Sequence, residues 1–413
     1  MELKKTARID LLKERMLSQP RYVSMEQAMI ITRAYQRHEE EPVILKRAYA
    51  LHDALCELEI GIEPQELIVG NRTKGVRYGV VFPESGISWV DQELETLPTR
   101  PQDKFLVRPE DVQTFREVIK PYWKGKSLED VLKKRYGKEI SALSTVVKIN
   151  QKDHAQGHIC PNVREWLEKG PAGLKEEAQQ HLLDCKEEQR PFYESILLVM
   201  DGVCRFLMRY HDELQKEAKQ HPDWKQDMIE TAEICKALAE RPAETFHEAV
   251  QSMWILFVVL HMESNASSFS PGRLDEILYP YYRKDRELGR LDAQRALDII
   301  ECLWLKFNQI VYLRNKNSAK YFAGFPIGFN IAVGGQDVHG EDVCNELSFL
   351  FLLAQEHIGL PQPNLSVRLH RGTGDALLKK AVRVVAKGSG MPQFFNDEAI
   401  IAELEKLGIS HQD

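Results

Sequence analysis

Phe329-Asn-Ile-Ala-Val333, closed by Gly334 and Gly335, and Leu365-Ser-Val-Arg-Leu369, set off by Pro361 and Pro363, are the stretches on which the fold turns. The first is a short, mostly apolar run and the second alternates apolar with polar, two patterns that strands produce. Residues 343–357 and 375–387, between and after them, carry helical spacing. Strand–helix–strand–helix is how a chain joins neighbouring strands through crossover helices, so the spacing predicts an α/β sheet or barrel.

Upstream, the chain reads as mostly helix. Apolar residues recur at three- and four-residue intervals over 25–39 and 42–58, and Pro42 suits a first helical turn. Residues 191–220 read as one long helix with Ile196, Val199, Val203, Phe206, Leu207 and Tyr210 on one face. Further helices are expected over 223–239, 245–262, 273–287 and 292–314, while 61–109 is rich in glycine, proline and short apolar runs, a loop pattern. The late strands should therefore lie under a thick helical coat. No repeat, low-complexity tract or linker divides the 413 residues, and a single domain over 1–413 is expected.

Composition narrows the function. The 55 basic and 62 acidic residues give a net charge of −7, with no dense basic stripe for nucleic acid. The basic run Lys133-Lys-Arg135 has acids nearby at Glu129, Asp130 and Glu139, as a solvated helix would. The first sixteen residues mix charged and apolar residues without a signal-peptide core, and the apolar run 253–260 is too short to span a bilayer. A soluble, cytoplasmic protein is expected. Seven scattered cysteines, odd in number and with no CxxC pair, read as reduced thiols.

Four polar clusters offer chemistry. In His154-Ala-Gln-Gly157-His158-Ile-Cys160-Pro161, the glycine lets backbone approach a ligand and His158 has the right proton affinity for acid–base work; His154, His158 and Cys160 alone make a poor metal set. Glu263-Ser-Asn265-Ala-Ser267-Ser268 presents hydroxyls and an amide, or simply caps one helix and starts the next with Pro271 near its first turn. Tyr321-Phe-Ala-Gly324-Phe325-Pro-Ile-Gly328, preceded by Arg314, suits a pocket wall or a tight turn entering a strand. Pro361 to Arg368 together with Phe394-Phe-Asn396-Asp397-Glu398 places polar groups at strand ends, although Asn-Asp-Glu also suits a helix start. P-loop, Rossmann, HExxH and GxSxG motifs are missing from the sequence.

Taken in order, Glu66-Leu-Ile-Val-Gly70-Asn71-Arg72, Phe82-Pro-Glu84, Pro98-Thr-Arg-Pro-Gln-Asp103, Gly157-His158, Glu263-Ser-Asn265, Pro363-Asn364-Leu-Ser366-Val-Arg368 and Phe394-Phe-Asn-Asp-Glu398 resemble the glycyl radical enzymes, in the branch of glycerol and diol dehydratases. The resemblance runs the length of the chain. It implies a helix-rich α/β fold: the first half of a ten-stranded barrel with an outer helical layer. It also implies that the chain is the amino-terminal portion of a pyruvate formate-lyase-type domain. The catalytic cysteine–glutamate loop would follow Asp413, and the glycine radical segment would lie further on. The expected activity is a lyase or dehydratase reaction on a small polyol-like substrate by thiyl radical chemistry. Alternatives are a formate C-acetyltransferase-like 2-ketoacid lyase, one chain of a split enzyme, or a non-catalytic remnant. All seven cysteines would be structural.

At matched positions, His158 falls where diol dehydratases place a histidine on a substrate hydroxyl; an arginine there would suit a carboxylate instead. Ser268 matches a serine that holds a substrate hydroxyl. Ser267 stands where the glycerol enzyme has a second histidine, and Phe325 where it has a tyrosine, so a substrate other than glycerol is implied. Arg314 is a candidate partner for an anionic group. The resemblance further implies no directly bound cofactor or metal, a glycyl radical installed by a radical S-adenosylmethionine activase, and assembly with the missing carboxy-terminal half or as a homodimer. A half-barrel alone should expose sheet edges and self-associate.

Overall fold

The computed structural model describes residues 3–147, 157–265, 267–322 and 327–410. At its centre lies the helix Phe246–Glu263, buried on almost every side. Its start is fixed by a capping box, in which the Thr245 hydroxyl accepts from the Glu248 amide and the Glu248 carboxylate accepts from the Thr245 amide.

One stripe of this helix does a strand's work for the segment before it. The Gln251 carboxamide accepts from the Val69 amide and donates to the Val69 carbonyl, each at 2.8 Å. Trp254 Nε1 donates to the Gly70 carbonyl at 2.9 Å, and His247 Nε2 to that of Leu67 at 2.6 Å. These three residues stand at i, i+4 and i+7, on one helix face. They satisfy the backbone of a segment whose Leu67, Ile68 and Val69 side chains are wholly buried, where unmade hydrogen bonds would be expensive.

Against the central helix pack Val43–Glu57, Val163–Asp184, Lys225–Glu240, Leu274–Glu287 and Ala293–Phe307, with Ala7–Ser18 and the long helix Arg190–Glu217 packed on these in turn. A smaller apolar cluster joins Glu26–Arg37 to Phe105, Phe115 and Trp123. It sits beside a two-stranded parallel pair, β1 (Val23–Ser24) with β2 (Gly79–Val80).

The late sheet is parallel, in the order β3 (Asn330–Gly334), β4 (Asn364–Leu369), β5 (Gln393–Asn396). Helices Glu346–Ile358 and Asp375–Val385 intervene, as the spacing predicts. The sheet grows beyond β3 through single hydrogen bonds rather than full strands. Gly272 donates to Asn330 O at 3.2 Å and Ala332 to Gly272 O at 2.9 Å. Next to residues 267–272 runs 158–160, through His158 N–H to Ser267 O at 2.8 Å and Ser270 N–H to Ile159 O at 2.9 Å. A ten-stranded barrel is not displayed among the described residues.

Three expectations are corrected. The helix expected over 292–314 ends at Phe307, because Asn308 turns its side-chain amide back to the Trp304 and Gln362 carbonyls at 2.8 and 2.9 Å. Arg314 therefore sits in neither helix nor strand, just before the helix Lys316–Phe322. Pro271 does not open a helix, since its neighbour Gly272 is committed to β3 and the next helix starts at Leu274. Tyr321 and Phe322 end the short helix Lys316–Phe322 instead of entering a strand.

Candidate active site

The site is built where the backbone lines 157–160, 267–272 and β3 run side by side. Gly157 sets their spacing: a Cβ there would meet the Ser267 carbonyl oxygen at 1.8 Å, so only glycine lets the lines close. His158 follows with φ +66° and its N–H on Ser267 O. Ser268 has φ +61° and donates its N–H to Ile327 O at 2.7 Å. Only four non-glycine residues among those described adopt this left-handed backbone, and two of them are His158 and Ser268. Side chains held in this region cost about 1–3 kcal/mol each and gather at functional sites. Gly328, at φ +88°, lies against Ser268, where a Cβ would come within 2.8 Å of Oγ.

The structure thus brings together three of the sequence candidates: His158, Ser267 and Ser268. Arg314 is linked to them through Tyr312. Its guanidinium stacks 4.2 Å from the Tyr312 ring centroid, and the Tyr312 phenol is close enough to Ser267 for that residue to lower its pKa. Burial pushes that phenol up to about 12, although Ser267 and the charge of Arg314 both act to lower it, so it stays a neutral donor at physiological pH. Phe325 and His154 lie outside the described residues. Cys160, two residues beyond His158, is exposed, but desolvation raises its thiol, the reverse of an activated thiolate.

Beneath the loop lies polar machinery that sequence reasoning did not assign. His261 is wholly buried, with Nδ1 donating to Phe257 O at 2.6 Å and its ring against Phe269 and Phe329. Burial drives its pKa down to about 3, so the imidazole is neutral. Arg72, 1% exposed, donates to the carbonyls of His261 and Val311, which ties the 66–72 motif to both strips flanking the site. Desolvation lowers it to about 10, still cationic. Asn265, 7% exposed, has no hydrogen-bond partner for Oδ1 among the described residues. The only sequence signal for Arg72 and Asn265 was their presence in motifs, and His261 stands in none. At the far strand ends, Asn396 caps the helix Asp397–Lys406, and Asp397 takes both Arg368 Nε and Nη2 at 2.8 and 2.9 Å. The helix-start reading therefore describes that cluster.

Together these residues supply one imidazole, two hydroxyls, a neutral phenol and a guanidinium along one edge of parallel backbone. Such an edge can hold a hydroxylated molecule and hand a proton to a departing oxygen.

The sequence model of the family described as pyruvate formate lyase-like matches residues 3–413. The chain belongs to that family. Among relatives of this pyruvate formate lyase-like chain is the "probable dehydratase YbiW" of Escherichia coli, 34% identical, with 95% of this chain matched to 50% of that protein. An isethionate sulfite-lyase of Oleidesulfovibrio alaskensis is 30% identical, covering 95% of this chain and 50% of its own length. The glycerol-bound B12-independent glycerol dehydratase of Clostridium butyricum superposes with a TM-score of 0.95 at 32% identity, covering all of this chain and 53% of that one. A glycyl radical enzyme from Archaeoglobus fulgidus gives 0.93 at 30% identity, over 98% of this chain and 53% of its own. This pyruvate formate lyase-like chain thus spans about half the length of the proteins it matches, as the sequence resemblance anticipated.

Proposed function

We propose that this chain carries the substrate-holding half of a glycyl radical lyase or dehydratase acting on a small polyol-like molecule. The supporting observation is the pairing of His158 and Ser268 on adjacent backbone lines, each held in a strained left-handed conformation, in a chain whose relatives are named dehydratases and sulfite-lyases. Ser268, with Ser267, holds substrate hydroxyls, and His158 protonates the group that leaves. Arg314 takes an anionic substituent. The full-length protein closes a ten-stranded barrel over this edge, with the rest of the pyruvate formate-lyase-type domain following residue 413. There a glycyl radical, installed by a radical S-adenosylmethionine activase, supplies the hydrogen-abstracting thiyl. Histidine at 158, where a carboxylate substrate would call for an arginine fork, sets the 2-ketoacid reading aside.

The test uses full-length protein, activated under anaerobic conditions. His158→Gln should lower kcat by about 100-fold or more, the scale of a lost general acid, while leaving the glycyl radical signal intact. Turnover equal to the parent's would overturn the assignment. Ser267→His should shift preference toward glycerol.

A further inference from the structure

A second constellation shares Tyr312 and Arg314 with the candidate active site. A cavity of about 260 Å³ is walled in part by Arg21, Arg77, Arg314, Asp103, Tyr312 and Gln362. Its charged lining comprises three arginines and one aspartate. That aspartate is already engaged, by Arg21 Nη1 at 2.8 Å and by Arg100 Nη2 at 3.3 Å. Arg77 makes no ion pair among the described residues; its one hydrogen bond runs to Met16 O at 3.5 Å. Desolvation and then the neighbouring charge of Arg21 lower its pKa, and the charge of Asp103 offsets this only in part.

Two further observations point to a ligand. Gln362 is 1% exposed; its Oε1 accepts from the Phe329 amide at 2.9 Å, but its Nε2 is buried with no acceptor among the described residues. A buried donor left unmade is unfavourable, and native proteins rarely keep one without a reason. In addition, the other two non-glycine residues with left-handed backbone, Arg77 at φ +62° and Asp103 at φ +52°, both line this cavity. Strain is thus concentrated at the candidate active site and here.

We propose that this cavity is a binding site for a small oxyanion: inorganic sulfate or phosphate, or the acid group of a small organic acid. Guanidinium groups of Arg21, Arg77 and Arg314 hold its oxygens by charge-assisted hydrogen bonds, and Gln362 Nε2 donates the contact it otherwise lacks. The site does not depend on radical chemistry, so it is tested without activation.

Full-length, radical-free protein is titrated by calorimetry at low ionic strength with sodium sulfate and, separately, with sodium ethanesulfonate. Saturable binding of either is expected, with tighter binding of ethanesulfonate marking an organic acid and tighter sulfate an inorganic one. Arg77→Gln should weaken binding about tenfold, as loss of one charge-assisted contact does, and Arg77→Lys should recover part of it. Gln362→Glu, which keeps the acceptor for Phe329 and adds a repelling charge, should abolish it. If a variant fails to fold, the parent's melting temperature serves instead and should rise with sulfate more than with chloride at equal ionic strength. No saturable heat with either anion, or affinity unchanged in Arg77→Gln and Gln362→Glu, would overturn the proposal.

Discussion

Asp275 shows what a single buried residue can decide. It is wholly buried between three elements, where its carboxylate accepts from the Gly334 amide at 2.9 Å, the Glu276 amide at 2.9 Å and the Ser348 hydroxyl. Desolvation outweighs those contacts and raises its pKa to about 6. Above its unfolded value of about 4, the folded protein holds this proton more tightly than the unfolded chain does. Asp275 therefore makes stability fall as pH rises from about 4 to 6, and the loss persists at higher pH. Asp275→Asn removes that slope. Relative to the parent, the variant should gain about 1–3 kcal/mol between pH 4 and pH 7 in denaturant melts, from about 1.4 kcal/mol per pKa unit; a constant difference would refute this account. At this scale a glycine–histidine pair marks His158 locally, whereas spacing alone reads Ser267 and Ser268 as a helix cap and only the family resemblance singles them out. Tyr312, Arg77 and Gln362 were not legible: they meet only after distant segments fold together, and nothing in their neighbours' spacing marks them.

Among the elements, the loop 66–72 depends on what grips it. Besides the stripe on the central helix, the Glu66 carboxylate takes Lys306 Nζ at 2.6 Å, both side chains being at most 5% exposed, and Gln309 accepts from the same ammonium at 3.2 Å. Removing one member strands a charge, so Lys306→Met should cost about 3–5 kcal/mol in equilibrium unfolding. Lys306→Met with Glu66→Met should recover most of that; failure to do so would mean that the pair is worth more than its desolvation. Most helices and both long strands were readable from period alone. β5 was not, because all its residues are exposed and its aromatic pair does not alternate. The overshoot of the helix ending at Phe307 has a related cause: the apolar run Ile310 to Leu313 continues past the turn, and periodicity cannot see Asn308 folding back.

For the whole molecule, the carboxy-terminal side presents an open sheet edge among the described residues. Among the described residues β5 pairs with β4 alone, and Phe394 and Phe395 are each 41% exposed. Leu378 and Val382 on the helix Asp375–Val385, and Ile400 and Leu404 on the helix Asp397–Lys406, are also each more than a third exposed. An open edge with an apolar flank is a template for pairing. The 413-residue chain expressed alone should self-associate in light scattering, and Phe394→Ser with Phe395→Lys should reduce this. Co-expression with the remaining half of a full-length relative should yield a soluble complex; a monodisperse, cooperatively melting monomer of the chain alone would contradict the reading. No helix of the described residues is long and apolar enough to cross a membrane.

The contact at Gly157 also governs how such a protein can change its diet. Where a Cβ would sit 1.8 Å from a carbonyl oxygen, no other letter is admissible, whatever the substrate. Its neighbours His158 and Ser267 are bound by the same backbone hydrogen bond, which ignores side-chain identity. In a saturation mutational scan under selection on different carbon sources, position 157 should permit glycine alone, while 158 and 267 trade residues with the nutrient. One inflexible position thus leaves its neighbours at liberty to diversify.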